Sequence, residues 1–158
     1  MRHVFLFLAT ALIATAETAA LACTCIALPS DAGQQASLAQ DVADGAVALV
    51  EVELDRAYDA AAGRGERLRV VSTLAGTAPP LVEIERDGVP NGAGCDVEFA
   101  TGRRTIVMLY PARTPAAAGE TRLRLGDSCL TALLADAGFR ARLVAAIGAR
   151  PGPLTERG

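Results

Sequence analysis

The 158-residue chain is slightly acidic: 15 basic residues, all arginine, face 18 acidic ones, and the net charge is −3. This balance excludes a strongly basic footprint, so we expect neither nucleic acid nor anionic lipid as a partner. Four Phe, two Tyr and no Trp leave a core built mainly from Val, Leu and Ile. So small an aliphatic core benefits from covalent bracing.

The first 22 residues have the three parts of a cleavable signal peptide. Arg2-His3 is a short cationic start, residues 4–16 (VFLFLATALIATA) are apolar, and Ala20-Leu21-Ala22 is the small-x-small pattern that precedes cleavage. The apolar run is too short for a spanning helix, and no later window reaches about 18 apolar residues. We therefore expect an exported chain, extracellular or periplasmic, that begins at Cys23 and has no transmembrane segment.

The N-terminal half of the mature chain predicts one helix followed by three strands. A short helix is expected over Ser37–Gly45, with Gly45 just beyond its last turn. Alternating apolar and charged residues then predict strands over Ala46–Leu54, Glu66–Leu74 and Leu81–Glu85. In the first of these strands the valines face inward and the glutamates outward.

The C-terminal half predicts two more strands and a helical region. The most apolar strand is Thr105–Tyr110, which we expect to be central, and Thr121–Leu125 alternates again. A helical pattern covers Leu130–Ile147, and Gly138 is the point at which it can divide into two helices. Residues 149–158, rich in Pro, Gly and charge, predict a flexible tail.

Five short strands with flanking helices predict a mainly β fold, in one domain over residues 23–148. Five antiparallel strands in so short a chain favour a small closed or nearly closed barrel, because closure removes exposed edges. A β-sandwich of the same size is the alternative, and periodicity does not separate the two.

The chain lacks the parts of most catalytic sites. Its one histidine is His3, inside the predicted signal peptide, and there is no lysine. Ser-His-Asp triads, Cys-His pairs and catalytic lysines are therefore excluded. The glycines at 63–65 and 91–94 are turn residues without the Lys-Ser/Thr of a phosphate loop. We expect no enzymatic activity, no cofactor and no intrinsic metal site.

Two pairs of carboxylates stand at i and i+2 in predicted strands: Glu51 with Glu53, and Glu83 with Glu85. Residues at this spacing share one face of a strand. We interpret both pairs as part of a solvated sheet face rather than as an acid–base pair.

All four cysteines, Cys23, Cys25, Cys95 and Cys129, lie in the mature part of the chain. An even number of cysteines in an oxidising compartment predicts disulfides. A bridge between Cys23 and Cys25 would close a strained ring, since both lie on one side of an extended segment. Each should therefore reach a distant partner, one Cys95 and the other Cys129, and the spacing leaves both assignments open.

These features together resemble the netrin-like module, and within it the N-terminal domain of the tissue inhibitors of metalloproteinases. Cys23-Thr24-Cys25 is similar to that family's opening triplet. Cys95, with Asp96-Val97-Glu98-Phe99 and Gly102 after it, stands at the family's connector cysteine, and Asp127-Ser128-Cys129 at the partner of the third residue. The resemblance implies an OB-fold-like five-stranded barrel with Cys23–Cys95 and Cys25–Cys129 disulfides.

The resemblance also implies a function: inhibition of a zinc metalloendopeptidase by a monomer. In such inhibitors the α-amino group and carbonyl oxygen of the first cysteine, here Cys23, chelate the protease's zinc and displace its water. Thr24 would enter the adjacent specificity pocket, and Cys25 would hold the segment rigid.

Two alternatives stay open. In the first, the chain is a non-catalytic netrin-like binding or scaffold module whose Cys-x-Cys is purely structural. In the second, Ala20-Leu21-Ala22-Cys23 is a lipidation signal, so that a lipid anchor would occupy Cys23 and block its amine. The even cysteine count argues against lipidation, because three cysteines would remain.

Overall fold

A computed structural model describes residue 25 and residues 27–59, 61, 65–85, 97–114 and 121–150. Its strands form a closed barrel in the order β1-β2-β3-β5-β4, with flanking helices, which confirms the predicted mainly β, OB-fold-like barrel. The elements in chain order are α1 (Ala32–Ala43), β1 (Ala48–Arg56), β2 (Glu66–Gly76), β3 (Leu81–Glu85), β4 (Arg104–Pro111), β5 (Arg122–Leu125), α2 (Ser128–Leu133) and α3 (Ala137–Gly148).

One strand pair departs from the prediction of an all-antiparallel barrel. β3 and β5 run parallel, with Ile84 opposite Leu123, whereas the other four neighbouring pairs are antiparallel. The reason is topological, because strand directions cannot alternate all the way around a closed ring of five. At least one neighbouring pair must be parallel, and here it is the pair that closes the barrel.

The alternation along β4 divides its side chains between two hydrophobic cores. Val107 and Leu109 point into the barrel and are fully buried. Met108, between them, is also fully buried, but it points outward into a second core beneath the helices. β1 behaves in the same way, with Val50 inside the barrel and Leu49 under the helices. Where Leu49 pairs with Met108, both strands are therefore buried on both faces, by the barrel interior on one side and by the helices on the other.

The second core is assembled from the helices that follow and precede the barrel. Phe139 and Leu143 of α3 are fully buried there, together with Leu134, which follows α2. α1 contributes two alanines, Ala39 and Ala43, whose small side chains let the helix approach closely. The barrel interior and the helix-covered face are thus two separate apolar clusters.

The start of α1 is earlier than the sequence pattern indicates. It begins at Ala32 rather than Ser37, because Asp31 accepts a hydrogen bond from the backbone N–H of Gln34 at 2.8 Å and caps the first turn. Its end agrees with the prediction: Asp44 is the C-cap, and Gly45 follows with a φ of +74°. This left-handed conformation is one that glycine adopts without strain.

The helical pattern over Leu130–Ile147 divides at an aspartate rather than at Gly138. Asp136 is the N-cap of α3 and accepts from the backbone N–H of Phe139 at 2.7 Å. Gly138 lies inside the first turn of α3, so the prediction that it separates the helices is wrong. Arg150, assigned by its sequence to the flexible tail, is half-buried and its Nη1 donates to the carbonyl of Ala46 at 2.7 Å. Residues 151–158 lie outside the described chain.

Gly76 ends β2 where the strand crosses close to the start of β1. Its φ is +77°, and a Cβ atom there would lie 2.2 Å from the carbonyl oxygen of Val47 and 2.8 Å from the Cα of Ala48. Both obstacles are backbone atoms, so this position requires glycine.

Candidate functional site

The N-terminal end of the described chain is held by a disulfide. Cys25 is joined to Cys129, with the two Cα atoms 5.0 Å apart and a separation of 104 positions in sequence. This is the pairing that the resemblance implied. Cys25 is exposed and Cys129 is half-buried. Cys23, Thr24 and Cys95 lie outside the described residues, as does the predicted signal peptide, so the second implied bridge stays a prediction.

Cys129 lies in the first turn of α2, a helix of six residues without a buried side chain. Helices this short are marginal on their own, so their caps and contacts matter. Asp127 accepts from the backbone N–H of Leu130 at 2.7 Å and caps the helix. The N–H of Gly126 donates to the carbonyl of Met108 at 2.9 Å, which attaches the start of α2 to β4. The disulfide is thereby linked to the barrel wall.

The segment that follows Cys25 has its own attachment to α1. The side-chain Nε2 of Gln35 donates to the carbonyl oxygen of Pro29 at 2.7 Å. Gln35 also accepts, through Oε1, from Nε of Arg142 on α3 at 3.3 Å. Leu28 packs against the helix-covered core. The sequence offered no signal for the Gln35 contacts, because they depend on how the N-terminal segment and α3 pack against α1.

The first pair of carboxylates lies on the outer face of the barrel and pairs with arginines. Glu53 binds Arg69 at 2.8 Å on β2 and Arg104 at 3.0 Å on β4, while Glu51 lies 3.8 Å from Arg104. Hydrogen bonds from Arg104 and then Arg69 lower the pKa of Glu53. We call these four side chains the charge ladder. The sheet-face interpretation is confirmed, with arginines as partners.

The second pair of carboxylates, Glu83 and Glu85, binds residues at or just beyond the ends of β1 and β4. Nη2 of Arg56 lies 2.7 and 2.8 Å from the two carboxylate oxygens of Glu83, and it donates to the carbonyl of Gly65 at 3.1 Å. Glu85 accepts from the hydroxyl and backbone N–H of Thr114 and from the N–H of Arg113 at 2.6 Å. These bonds, the Thr114 hydroxyl first, lower the pKa of Glu85. Both glutamates therefore have structural partners.

Tyr110 connects β4 to the end of α1. Its hydroxyl donates to the carbonyl of Val42 at 2.8 Å, and the guanidinium carbon of Arg124 lies 5.3 Å from the centre of its ring. Burial raises the pKa of Tyr110, and the charge of Asp127 acts in the same direction. No local pattern predicts this contact, since Tyr110 fits an ordinary strand pattern.

A shallow groove of about 480 Å³ runs between α1 and α3. Five alanines dominate its lining, which is completed by three polar side chains: Ala36, Ala39, Ala145, Ala146, Ala149, Ser37, Gln40 and Arg142. The groove holds no acid–base pair. The groove is formed by the helices, whereas the charge ladder lies on β1, β2 and β4, on the part of the barrel's outer face that no helix covers.

Across the described part of the chain, no three His, Cys, Asp or Glu side chains come together in a group that could hold a metal ion. None of the described helices is both long and apolar enough to cross a membrane. In class, the protein is a disulfide-bonded, five-stranded OB-fold-like barrel with flanking helices. No family model, curated protein or solved structure matches the chain.

Proposed function

We propose that the mature protein is a secreted or periplasmic inhibitor of zinc metalloendopeptidases that acts through its N-terminal Cys23. One observation carries the proposal: Cys25 is exposed and bonded to Cys129 in α2. Cys23 precedes this exposed, fixed residue by only two positions. An inhibitor that acts through its N-terminus needs that terminus to be both rigidly anchored and accessible to solvent.

The chemistry proposed for Cys23 is chelation of the protease's zinc by its α-amino nitrogen and carbonyl oxygen. Catalytic zinc sites keep an open position for water, and the two atoms would take that position. An unperturbed α-amino group has a pKa of about 7.7–8, so giving up its proton to bind zinc near neutral pH is inexpensive. Thr24 would occupy the specificity pocket next to the zinc.

Rigidity at Cys25 supports the proposal on energetic grounds. Binding costs about 0.5–1.5 kcal/mol for each side chain that is immobilised, in addition to any ordering of a loop. The disulfide and the Gln35–Pro29 bond order residues on both sides of Leu28 before any partner binds. That cost is then already met when the protease arrives.

The proposal is tested by adding the mature protein, beginning at Cys23, to zinc endopeptidases of several structural classes. We expect the mature protein to inhibit at least one of these classes. The inhibition should not require the protease to cleave the inhibitor first. Placing one alanine before Cys23 should abolish the inhibition, because the chelating amine moves away from the zinc. The matched control adds one alanine after Gly158, which changes the length equally and should leave inhibition intact.

Mass spectrometry of the secreted protein comes first, because it reports the state of Cys23. A free amine and two intact disulfides support the inhibitor proposal, whereas an acyl chain on Cys23 contradicts it. A lack of inhibition by correctly processed protein across all the protease classes would also contradict it.

A second candidate is a disulfide-braced netrin-like binding or scaffold module in which the Cys-x-Cys is structural. The observation that favours it is the span of the Cys25–Cys129 bridge, which encloses α1 and all five strands. Such long loops are where a disulfide has most to contribute to stability. In this case the alanine extension before Cys23 would change neither binding nor stability.

A further inference from the structure

We infer that Gln35 is a positioning residue that fixes the N-terminal segment in the pose needed for inhibition; the inference rests on the function proposed above. Gln35 lies on α1, six residues after Pro29. Its Nε2 donates a hydrogen bond to the carbonyl oxygen of Pro29 at 2.7 Å, and its Oε1 accepts one from Nε of Arg142 at 3.3 Å.

The chemistry of its neighbours fixes the orientation of this side-chain amide. A proline carbonyl only accepts, and a guanidinium only donates. The NH₂ end of Gln35 must therefore face Pro29, and the oxygen must face Arg142. The two ends differ in what they hold, because the NH₂ group fastens the N-terminal segment and the oxygen attaches α1 to α3.

The Pro29 contact matters because the segment has few other attachments. Among the described residues, the bond to Gln35 is the one hydrogen bond that residues 27–30 make. The Cys25–Cys129 disulfide fixes one end of the segment, and Leu28 adds an apolar contact. With the disulfide alone the segment could pivot about Cys25, and Gln35 supplies the second fixed point.

Three variants of the mature chain separate the two contacts. Gln35→Ala removes both hydrogen bonds. Gln35→Glu keeps an acceptor for Arg142 but removes the N–H donor to Pro29. Gln34→Ala is the matched control, because Gln34 is an exposed glutamine on the same helix whose side chain makes no described hydrogen bond.

Two quantities are measured for each variant whose melting temperature matches that of Gln34→Ala. One is the inhibition constant against a sensitive zinc endopeptidase. The other is the rate at which dithiothreitol reduces the Cys25–Cys129 bridge, followed by alkylation and peptide mapping. The second readout is independent of any protease.

We expect Gln35→Ala and Gln35→Glu each to raise the inhibition constant roughly three- to tenfold and to accelerate reduction by a similar factor. This is the size expected for losing the hydrogen bond to Pro29, which both variants lack. Gln34→Ala should change neither quantity. An unchanged reduction rate in both Gln35 variants overturns the positioning role. Faster reduction in a series that inhibits no protease, wild type included, supports the hold on the segment and overturns the proposed function.

Discussion

The outer face of β1 and β4 has two halves that the same strands build from opposite chemistry. In one half Leu49 lies opposite Met108, and both are fully buried under the helices. In the other half Glu53 lies opposite Arg104 in the charge ladder, and the arginine side chain is 58% exposed. Alternation along a strand therefore decides which side chains point out, while the helices decide which of those are buried.

The largest expected effect comes from the covered half. Met108→Ala should lower the free energy of unfolding by about 2–5 kcal/mol, because a fully buried side chain is lost and a cavity remains. Urea denaturation with the disulfides intact measures it. Arg104→Ala, on the same face of the same strand, should cost far less, because exposed ion pairs contribute little. Equal losses from the two variants would contradict the distinction between the halves.

Removing the disulfide should have the next largest effect. The double variant Cys25→Ser/Cys129→Ser is expected to lose about 2–4 kcal/mol of stability, since the unfolded chain is no longer constrained by a long loop. Thermal and urea denaturation both report it. Met108 belongs to the helix-covered core and not to the bridge, so we expect Met108→Ala to remain destabilising in this background. Retention of full stability by the double variant would show that the covered half does not depend on the bridge.

Tyr110→Phe tests the border of the covered half. Loss of the hydrogen bond to Val42 should cost about 1 kcal/mol. Because burial raises the pKa of Tyr110, the folded state holds its proton more tightly than the unfolded state. Stability is therefore lost as pH rises above the ordinary tyrosine value of about 10, and the variant should lose this alkaline dependence.

The control for Tyr110 is the other tyrosine. Tyr58 is 42% exposed, so Tyr58→Phe should leave the stability at neutral pH unchanged. Identical pH profiles for the wild type and Tyr110→Phe would rule out the linkage.

The smallest effect is expected in the charge ladder. The arginine partners lower the pKa of Glu53, so its contribution is present above the ordinary glutamate value of about 4.3 and is lost as pH falls through the lower folded value. Glu53→Gln should therefore lower stability at neutral pH slightly and flatten the acid limb of the stability profile by the same small amount, because the exposed ion pairs contribute little. Salt should weaken the contribution in the wild type. A large loss of stability at neutral pH would mean that the charge ladder contributes as much to the free energy of unfolding as the half buried under the helices, which would contradict the comparison.

The strands and the inward side chains could be predicted from the sequence, because alternation is a local property. Val82 and Ile84 are buried as expected, and β3 has the predicted bounds. The direction of β5 relative to β3 could not be predicted, because it depends on closing the ring. The division of the last helical region was misplaced at Gly138, since the cap formed by Asp136 is a stronger boundary than a glycine inside a helix.

Less of the candidate site could be predicted. Spacing alone left two cysteine pairings open, and only the resemblance implied Cys25 with Cys129. The burial of Met108 under the helices could not be predicted, because an apolar strand residue gives the same sequence pattern whether it is buried inside the barrel or under a helix. The Gln35 contacts depend on how α1 and α3 pack, which no local pattern encodes.

The 104-residue span of the Cys25–Cys129 bond has a consequence for how the protein is made. Every strand of the barrel lies between the two cysteines, so the thiol of Cys25 has no access to this partner until nearly the whole described chain has been synthesised. A chain that stops before α2 leaves Cys25 without its partner. Formation of the Cys25–Cys129 bond therefore distinguishes a finished molecule from one that stops before α2.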